Sequence, residues 1–243
     1  MPLDIELIGP PVVTVDGAPL HVDTRKAVAL LAYLAADERH RRRDHLAALL
    51  WPDSSEERAR AALRRTLTAL RSGLGGRWVK ADRDTVTLEG DDVRVDLDRL
   101  ARVADSLAEH GHTDDEVCDA CIPLIRETLR VDRGEFMEGF HVSGSYQFDD
   151  WVQTTSDRVR TTSALMMDRL ADAESARGDF DAATATLRRR LSLDPLHEPT
   201  YRRLMLLRAW AGDRAGSVEM YRECVGTLQD ELGVTPVEET TEL

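Results

Sequence analysis

The sequence predicts a mainly α protein in two parts, a small α+β module over residues 1–93 and an all-α helical domain over residues 94–243. Three observations predict it. The first 23 residues alternate in short apolar pieces broken by turn dipeptides, whereas from about residue 96 onward apolar residues recur at helical spacing almost throughout. Charge is divided too: residues 24–80 hold 13 Lys or Arg against 6 Asp or Glu, in a chain whose net charge is −13. A basic module is therefore joined to an acidic one, and 243 residues give each enough chain to bury its own core.

Read in order, LDIELIG, VVTV and PLHV form a small antiparallel sheet, and Asp16-Gly17 marks a hairpin because both residues tolerate positive φ. Thr24 caps a helix, TRKAVALLAYLAA, in which Ala27, Leu30, Leu31 and Leu34 line one buried face. Arg39 to Arg43 follow as a basic loop. Asp44 caps a short second helix, HLAALLW, which Pro52 stops because it has no N–H to donate. Ser54 and Glu57 have capping-box spacing and announce a third helix, SSEERARAALRRTLTALRSGL. Two helices joined by a short turn, the second rich in arginine, describe a helix-turn-helix. After Gly73 to Gly76, RWVKA and TVTLE flank Asp82-Arg83-Asp84 as a hairpin, so the module reads as a winged helix-turn-helix.

Behind it, helices are predicted over 96–110, 115–131, 146–177, 180–193, 198–211 and 214–231. Asp149-Asp150-Trp151 suits the beginning of the third of these, where carboxylates favour the positive end of the dipole. Gly178-Asp179 recurs as Gly212-Asp213, 34 residues later, and Leu187 is matched by Tyr221 at the same offset. That is the period of tetratricopeptide units. Ala171, Gly178, Ala183 and Pro195 fall where the motif wants small residues and a proline, whereas the second unit has Met205 and Ser217 at the small positions. The expectation is a tetratricopeptide-like helical domain.

On the basic helix, Leu63, Leu67, Leu70 and Leu74 make one stripe, with Ala59 and Thr66 on its margin. The opposite face presents Arg58, Ala61, Arg64, Arg65, Thr68 and Ser72. Small residues let a helix approach a groove floor, and arginine can bond guanine O6 and N7 with both prongs of its fork. Arg60 and Arg71, nearer the flank, suit phosphates, as do Arg41, Arg42 and Arg43 in the basic loop. An arginine-rich amphipathic helix is commonly just a solvated face, but here the neighbouring elements put charge on the same module. Arg83 has two readings of equal standing, a contact to the minor groove or its phosphates and an exposed turn residue.

These residues also resemble a known family. The run VALLAYLAADERHRRRDHLAALLWPDSSEERARAALRRTLTALRSGLG resembles the DNA-binding domain of SARP-type transcriptional activators, its LLWPD and following arginine helix being the most specific part. DVRVDLDRL through RGEFMEGF, FDDWV, LSLDPLHEPTYRRLM and DELGVTPVEET resemble the bacterial transcriptional activator domain that follows it. The resemblance implies an OmpR-like winged helix that binds promoter DNA, typically at direct repeats, with recruitment of RNA polymerase and a homodimer on the DNA as further expectations. Carried onto this chain, the recognition positions are Arg58, Arg64, Arg65 and Thr68, and the wing is residues 77–89. Family sequences usually continue beyond the point where EETTEL ends, so the chain reads as a piece of a longer regulator. The competing reading is a tetratricopeptide-type interaction module of a larger signalling ATPase, with weak or no DNA binding.

EHGHTDDEVCDAC places His110, His112, Cys118 and Cys121 within 12 positions. Two thiolates and two imidazoles can close a tetrahedral structural zinc site, and Cys-x2-Cys is a usual half of one. Against this stands the reading that the histidines pair by chance in an acidic linker and the cysteines face a helix core. Cys224 is expected to be packed. Neither a phosphate loop with its Lys, a GxGxxG, a nucleophile elbow nor an HExxH is present, so a non-enzyme is expected. No run approaches the roughly 18 apolar residues of a membrane span, and MPLDIELIG lacks the pattern of a secretory signal; the expected location is the cytoplasm, away from membranes.

Overall fold

The computed structural model describes every residue except 1, 23, 37–38, 111, 113–116 and 131–133. The chain divides into two compact units, Met1–Arg102 with Val131–Val159, and Val103–Arg130 with Arg160–Leu243.

The first unit opens with β1 (Leu3–Glu6), β2 (Val12–Val15) and β3 (Ala18–Pro19), antiparallel as expected. Asp16 and Gly17 take φ of 54° and 79° in the turn, the left-handed pair a tight hairpin demands. A fourth strand lies outside the sequence reading. β7 (Val93–Val95) pairs parallel with β1, setting Leu3 opposite Val93 and Ile5 opposite Val95, all four buried. The side chain of Asp96, immediately after β7, accepts hydrogen bonds from the Leu7 and Ile8 amides at 2.8 Å each. Burial nonetheless pushes its carboxyl above the ordinary aspartate range.

Between these strands runs the helical core. α1 (Arg25–Ala36) is entered through Thr24, whose hydroxyl accepts from the Ala27 amide at 3.3 Å. Three local expectations fail. The basic loop is in fact a strand, β4 (His40–Arg42), because it pairs antiparallel with β6 (Thr85–Leu88) on the edge that β5 (Val79–Ala81) leaves open. Asp44 lies in the first turn of α2 (Arg43–Leu50) rather than capping it; Arg42 is the cap residue and makes no side-chain bond. Likewise α3 (Glu56–Gly73) begins after Ser55 with no side-chain cap, so the Ser54/Glu57 capping box does not form. The leucine stripe is as expected: Leu63, Leu67, Leu70 and Leu74 are at most 4% exposed.

Residues 131–159 belong to this unit as well, so it takes in more chain than 1–93. The start of α6 (Tyr146–Ala176) sets Trp151 against Tyr33 of α1 at 4.9 Å between ring centroids, with Phe136 at 5.5 Å and Phe148 at 5.1 Å. The Met137 amide donates to Leu7 O at 2.7 Å, and the Gly9 amide donates to Glu135 O at the same distance.

The second unit is helical. It contains the end of α4 (Asp96–Glu109), α5 (Cys121–Leu129), the remainder of α6, α7 (Phe180–Leu193), α8 (Glu198–Trp210), α9 (Arg214–Leu232) and the short α10 (Glu238–Thr241). The 34-residue repeat is visible as chemistry. Gly178 and Gly212 both take positive φ, and the next residues, Asp179 and Asp213, cap α7 and α9 by accepting from the Ala182 and Gly216 amides. Ala183, Leu187, Leu204 and Cys224 pack in the core between these helices, each fully buried. A buried carboxylate, Glu174, is satisfied by Arg126 and the Thr186 hydroxyl, each at 2.8 Å. α5 is shorter than its expected 115–131: residues 113–116 and 131 lie outside the described residues, and Val117 to Ala120 do not join the helix, forming a turn that closes through the Cys121 amide to Cys118 O at 3.0 Å.

Candidate nucleic-acid interface

The α2–α3 pair and the β5–β6 hairpin bring the basic residues together, and local bonding sorts them into two groups. Arg60 is held by Asp44 at 2.9 Å and by Glu56 at 2.8 Å, so the phosphate role its flank position suggested meets a cation already paired. The hydrogen bond from Arg60 is the main reason that the Asp44 carboxyl stays below its usual range. Arg43 donates from its side chain to Asp82 O and from its backbone to Asp84 O, both at 2.8 Å, stitching α2 to the hairpin turn. Arg41 is half-buried, with its guanidinium 5.7 Å from the Tyr33 ring centroid. Arg77 bonds Asp92 at 2.7 Å, and Lys80 pairs with Glu89.

The second group is Arg42, Arg58, Arg64, Arg65, Arg71 and Arg83. All six are exposed, and among the described residues none makes a hydrogen bond or ion pair with their guanidinium groups. Arg58, Arg64 and Arg65 lie on α3 away from the leucine stripe, with Arg71 on its flank. Arg42 lies on β4 and Arg83 at the tip of the hairpin, whose turn is held by Asp82 accepting from the Asp84 and Thr85 amides at 2.8 and 2.7 Å. Arg42, Arg64 and Arg83 line one concavity of about 380 Å³, with Arg43 and Arg60 in its wall. Thr68, exposed on the same face of α3, donates its hydroxyl to Arg64 O at 2.9 Å and keeps lone pairs with which to accept. A surface of guanidinium groups free of direct hydrogen bonds and ion pairs on a helix-turn-helix can neutralise phosphates and present forked donors to base edges.

Lys26 was not singled out by sequence. It donates to Leu50 O at 2.6 Å at the end of α2 and lies 4.9 Å from the Trp51 ring centroid, with its pKa lowered chiefly by burial. Its role is to hold α2 against α1, and no motif signals it because the partner carbonyl lies 24 residues away.

In the second unit, His110, His112, Cys118 and Cys121 converge, with one ligand-type atom from each lying within 4.8 Å of all the others. Cys121 is buried and Cys118 exposed. Its contact with the His110 ring lowers the Cys118 thiol to about 6, while burial raises that of Cys121. Cys224 is fully buried and pushed up to about 11 by that burial, which fits a packed thiol. No described helix is long and apolar enough to cross a membrane.

A family model described as the bacterial transcriptional activator domain matches residues 95–243. Transcriptional regulatory protein EmbR of Mycobacterium tuberculosis is 28% identical over 255 aligned residues, covering 96% of this chain and 60% of EmbR. Regulatory protein AfsR of Streptomyces coelicolor is 28% identical over 232 residues, covering 95% of this chain and 22% of AfsR. The chain thus spans less than two thirds of the length of either relative. A solved structure of M. tuberculosis EmbR in complex with a low-affinity phosphopeptide shares the fold, with a TM-score of 0.72 over 99% of this chain and 63% of that one, at 24% identity. Because the activator-domain model covers more than half of the sequence, the chain belongs to the bacterial transcriptional activator domain family, that of the SARP-type regulators whose motifs it carries.

Proposed function

We propose that the chain is a sequence-specific DNA-binding transcriptional activator. The observation that carries this reading is the set of six exposed arginines whose guanidinium groups make no hydrogen bond or ion pair among the described residues, on one helix-turn-helix and its hairpin, in a protein that pairs its other basic residues nearby. The winged helix-turn-helix of residues 1–93 lays α3 in the major groove, with Arg58, Arg64, Arg65 and Thr68 towards base edges. Arg42 and Arg71 bind phosphates, and Arg83 reaches the backbone or minor groove beside the wing. Arg41 and Arg43 support this surface from behind. The activator domain of residues 94–243 contacts RNA polymerase, and two chains occupy paired promoter sites.

Selection of genomic fragments by the purified chain, followed by a salt series on each enriched fragment, tests the reading. Expected are paired sites about one helical turn apart, with affinity falling steeply as salt rises. Weak, salt-insensitive binding without enrichment would transfer the function to the helical repeats, as a protein-interaction module.

A further inference from the structure

Independently of the proposed DNA-binding surface, the end of α4 and the turn leading into α5 bring four ligand-type side chains together. We propose that His110, His112, Cys118 and Cys121 form a closed structural zinc site that clips the end of α4 to the start of α5. The distances carry the argument. Zinc bonds of about 2.3 Å to sulfur and about 2.0–2.1 Å to nitrogen, at tetrahedral angles, require edges of about 3.8 Å between sulfurs and about 3.5 Å between sulfur and nitrogen. Here the sulfurs of Cys118 and Cys121 are 3.6 Å apart. His112 Nε2 is 3.4 Å from Cys121 Sγ, and His110 Nδ1 is 3.1 Å from Cys121 Sγ and 3.8 Å from Cys118 Sγ. Four of the six edges thus come close to those of a zinc tetrahedron, and all the ligand atoms lie within 4.8 Å of one another.

Packing alone does not explain this convergence. Cysteines three apart that merely filled a core would both be buried, yet Cys118 is exposed with its sulfur turned to the same point as that of buried Cys121. The turn between them has its own brace: Arg177 donates to the Asp119 carboxylate at 2.5 Å and to Val117 O at 3.5 Å. Such outer contacts fix ligand direction in metal sites. Thiolate and imidazole donors select zinc over magnesium or calcium, which take oxygen ligands. Two thiolates cancel the charge of a divalent ion. With four protein ligands there is no open position for water, so the metal is structural.

The test begins with elemental analysis of the full chain purified without added metal or chelator, where one zinc per chain is expected. Stripped protein is then titrated with cobalt(II), which reports tetrahedral thiolate ligation by its visible absorption. One equivalent should bind with that spectrum, and Cys118→Ser should weaken cobalt binding by at least about 100-fold, beyond the 10–100-fold that loss of an outer partner costs. Cys224→Ser should leave the stoichiometry at one. Because the cobalt titration reads the unaltered chain, it remains informative if the Cys118 variant misfolds. The proposal is overturned by a folded chain that takes up neither zinc nor cobalt, by an octahedral cobalt spectrum, or by thiol titration showing a Cys118–Cys121 disulfide in protein purified without oxidant.

Discussion

Arg60 and Arg42 carry the same charge within one concavity, yet they should answer oppositely when removed. Arg42 is exposed and its guanidinium makes no hydrogen bond or ion pair among the described residues, although its charge is felt by Asp44, so Arg42→Ala should delete one phosphate contact. Each such contact contributes about 0.9 to the slope of log affinity against log salt, or about 3.5-fold in affinity over a fourfold rise in salt. Arg42→Ala should therefore flatten the slope by about 0.9 and weaken specific and random duplexes alike. Arg60 is already engaged by Asp44 and Glu56, both exposed. Arg60→Ala should leave the slope unchanged and cost less than about threefold in affinity, its more distant charge being screened at physiological salt. Arg65→Ala should do something different again, losing about 1–3 kcal/mol of discrimination between the operator and a mismatched site. Fluorescence anisotropy with one operator and one random duplex at four salt concentrations measures all three. If Arg60→Ala flattened the slope as much as Arg42→Ala, sorting these arginines by their local partners would be wrong.

Other outcomes follow from packing and titration. Phe148 is fully buried in the aromatic cluster around Trp151, so Phe148→Ala should cost about 3–5 kcal/mol in urea unfolding. A chain cut after residue 93 should melt well below the full protein, since Tyr33 loses Trp151; equal melting temperatures would refute a supporting role for residues 131–159. The Asp179→Ala and Asp213→Ala variants should each lose about 0.5–2 kcal/mol by removing a helix cap, and similar losses would show the repeat to be energetic as well as formal. The raised carboxyl of Asp96 has a definite sign: the folded state holds its proton more tightly, so this contribution is full below the ordinary aspartate pKa and lost as pH rises through the folded value. Denaturant titrations at several pH values should show that fall in the native chain and its absence in Asp96→Asn.

Much of the fold was legible because its signals are local. The leucine stripe of α3 and the glycine-aspartate caps of α7 and α9 are each decided within one helix or its first turn. The proposed ligand residues at 110–121 also stand close in sequence, although their convergence depends on a turn that a longer predicted helix concealed. What escaped depends on distant partners. His40 to Arg42 become a strand only because β6 lies open beside them, more than 40 residues later in the chain. Arg60 is paired by Asp44, 16 residues earlier, which a wheel of α3 alone does not show, and by Glu56 one turn back on α3, a local signal that the phosphate reading passed over. The aromatic cluster joins α1 to residues that composition assigns to the other half.

The parallel pairing of β1 with β7 has a consequence for synthesis. Leu3 and Ile5 are among the first residues made, and their partners Val93 and Val95 follow 90 residues later. At roughly 5–20 residues per second, β1 waits about 5–18 s on the ribosome with that edge unsatisfied. Phe148 and Trp151 emerge later still to cover Tyr33. The module proposed to grip DNA is thus completed only after the acidic half has begun to be translated, and β1 stays without its β7 partner during the interval.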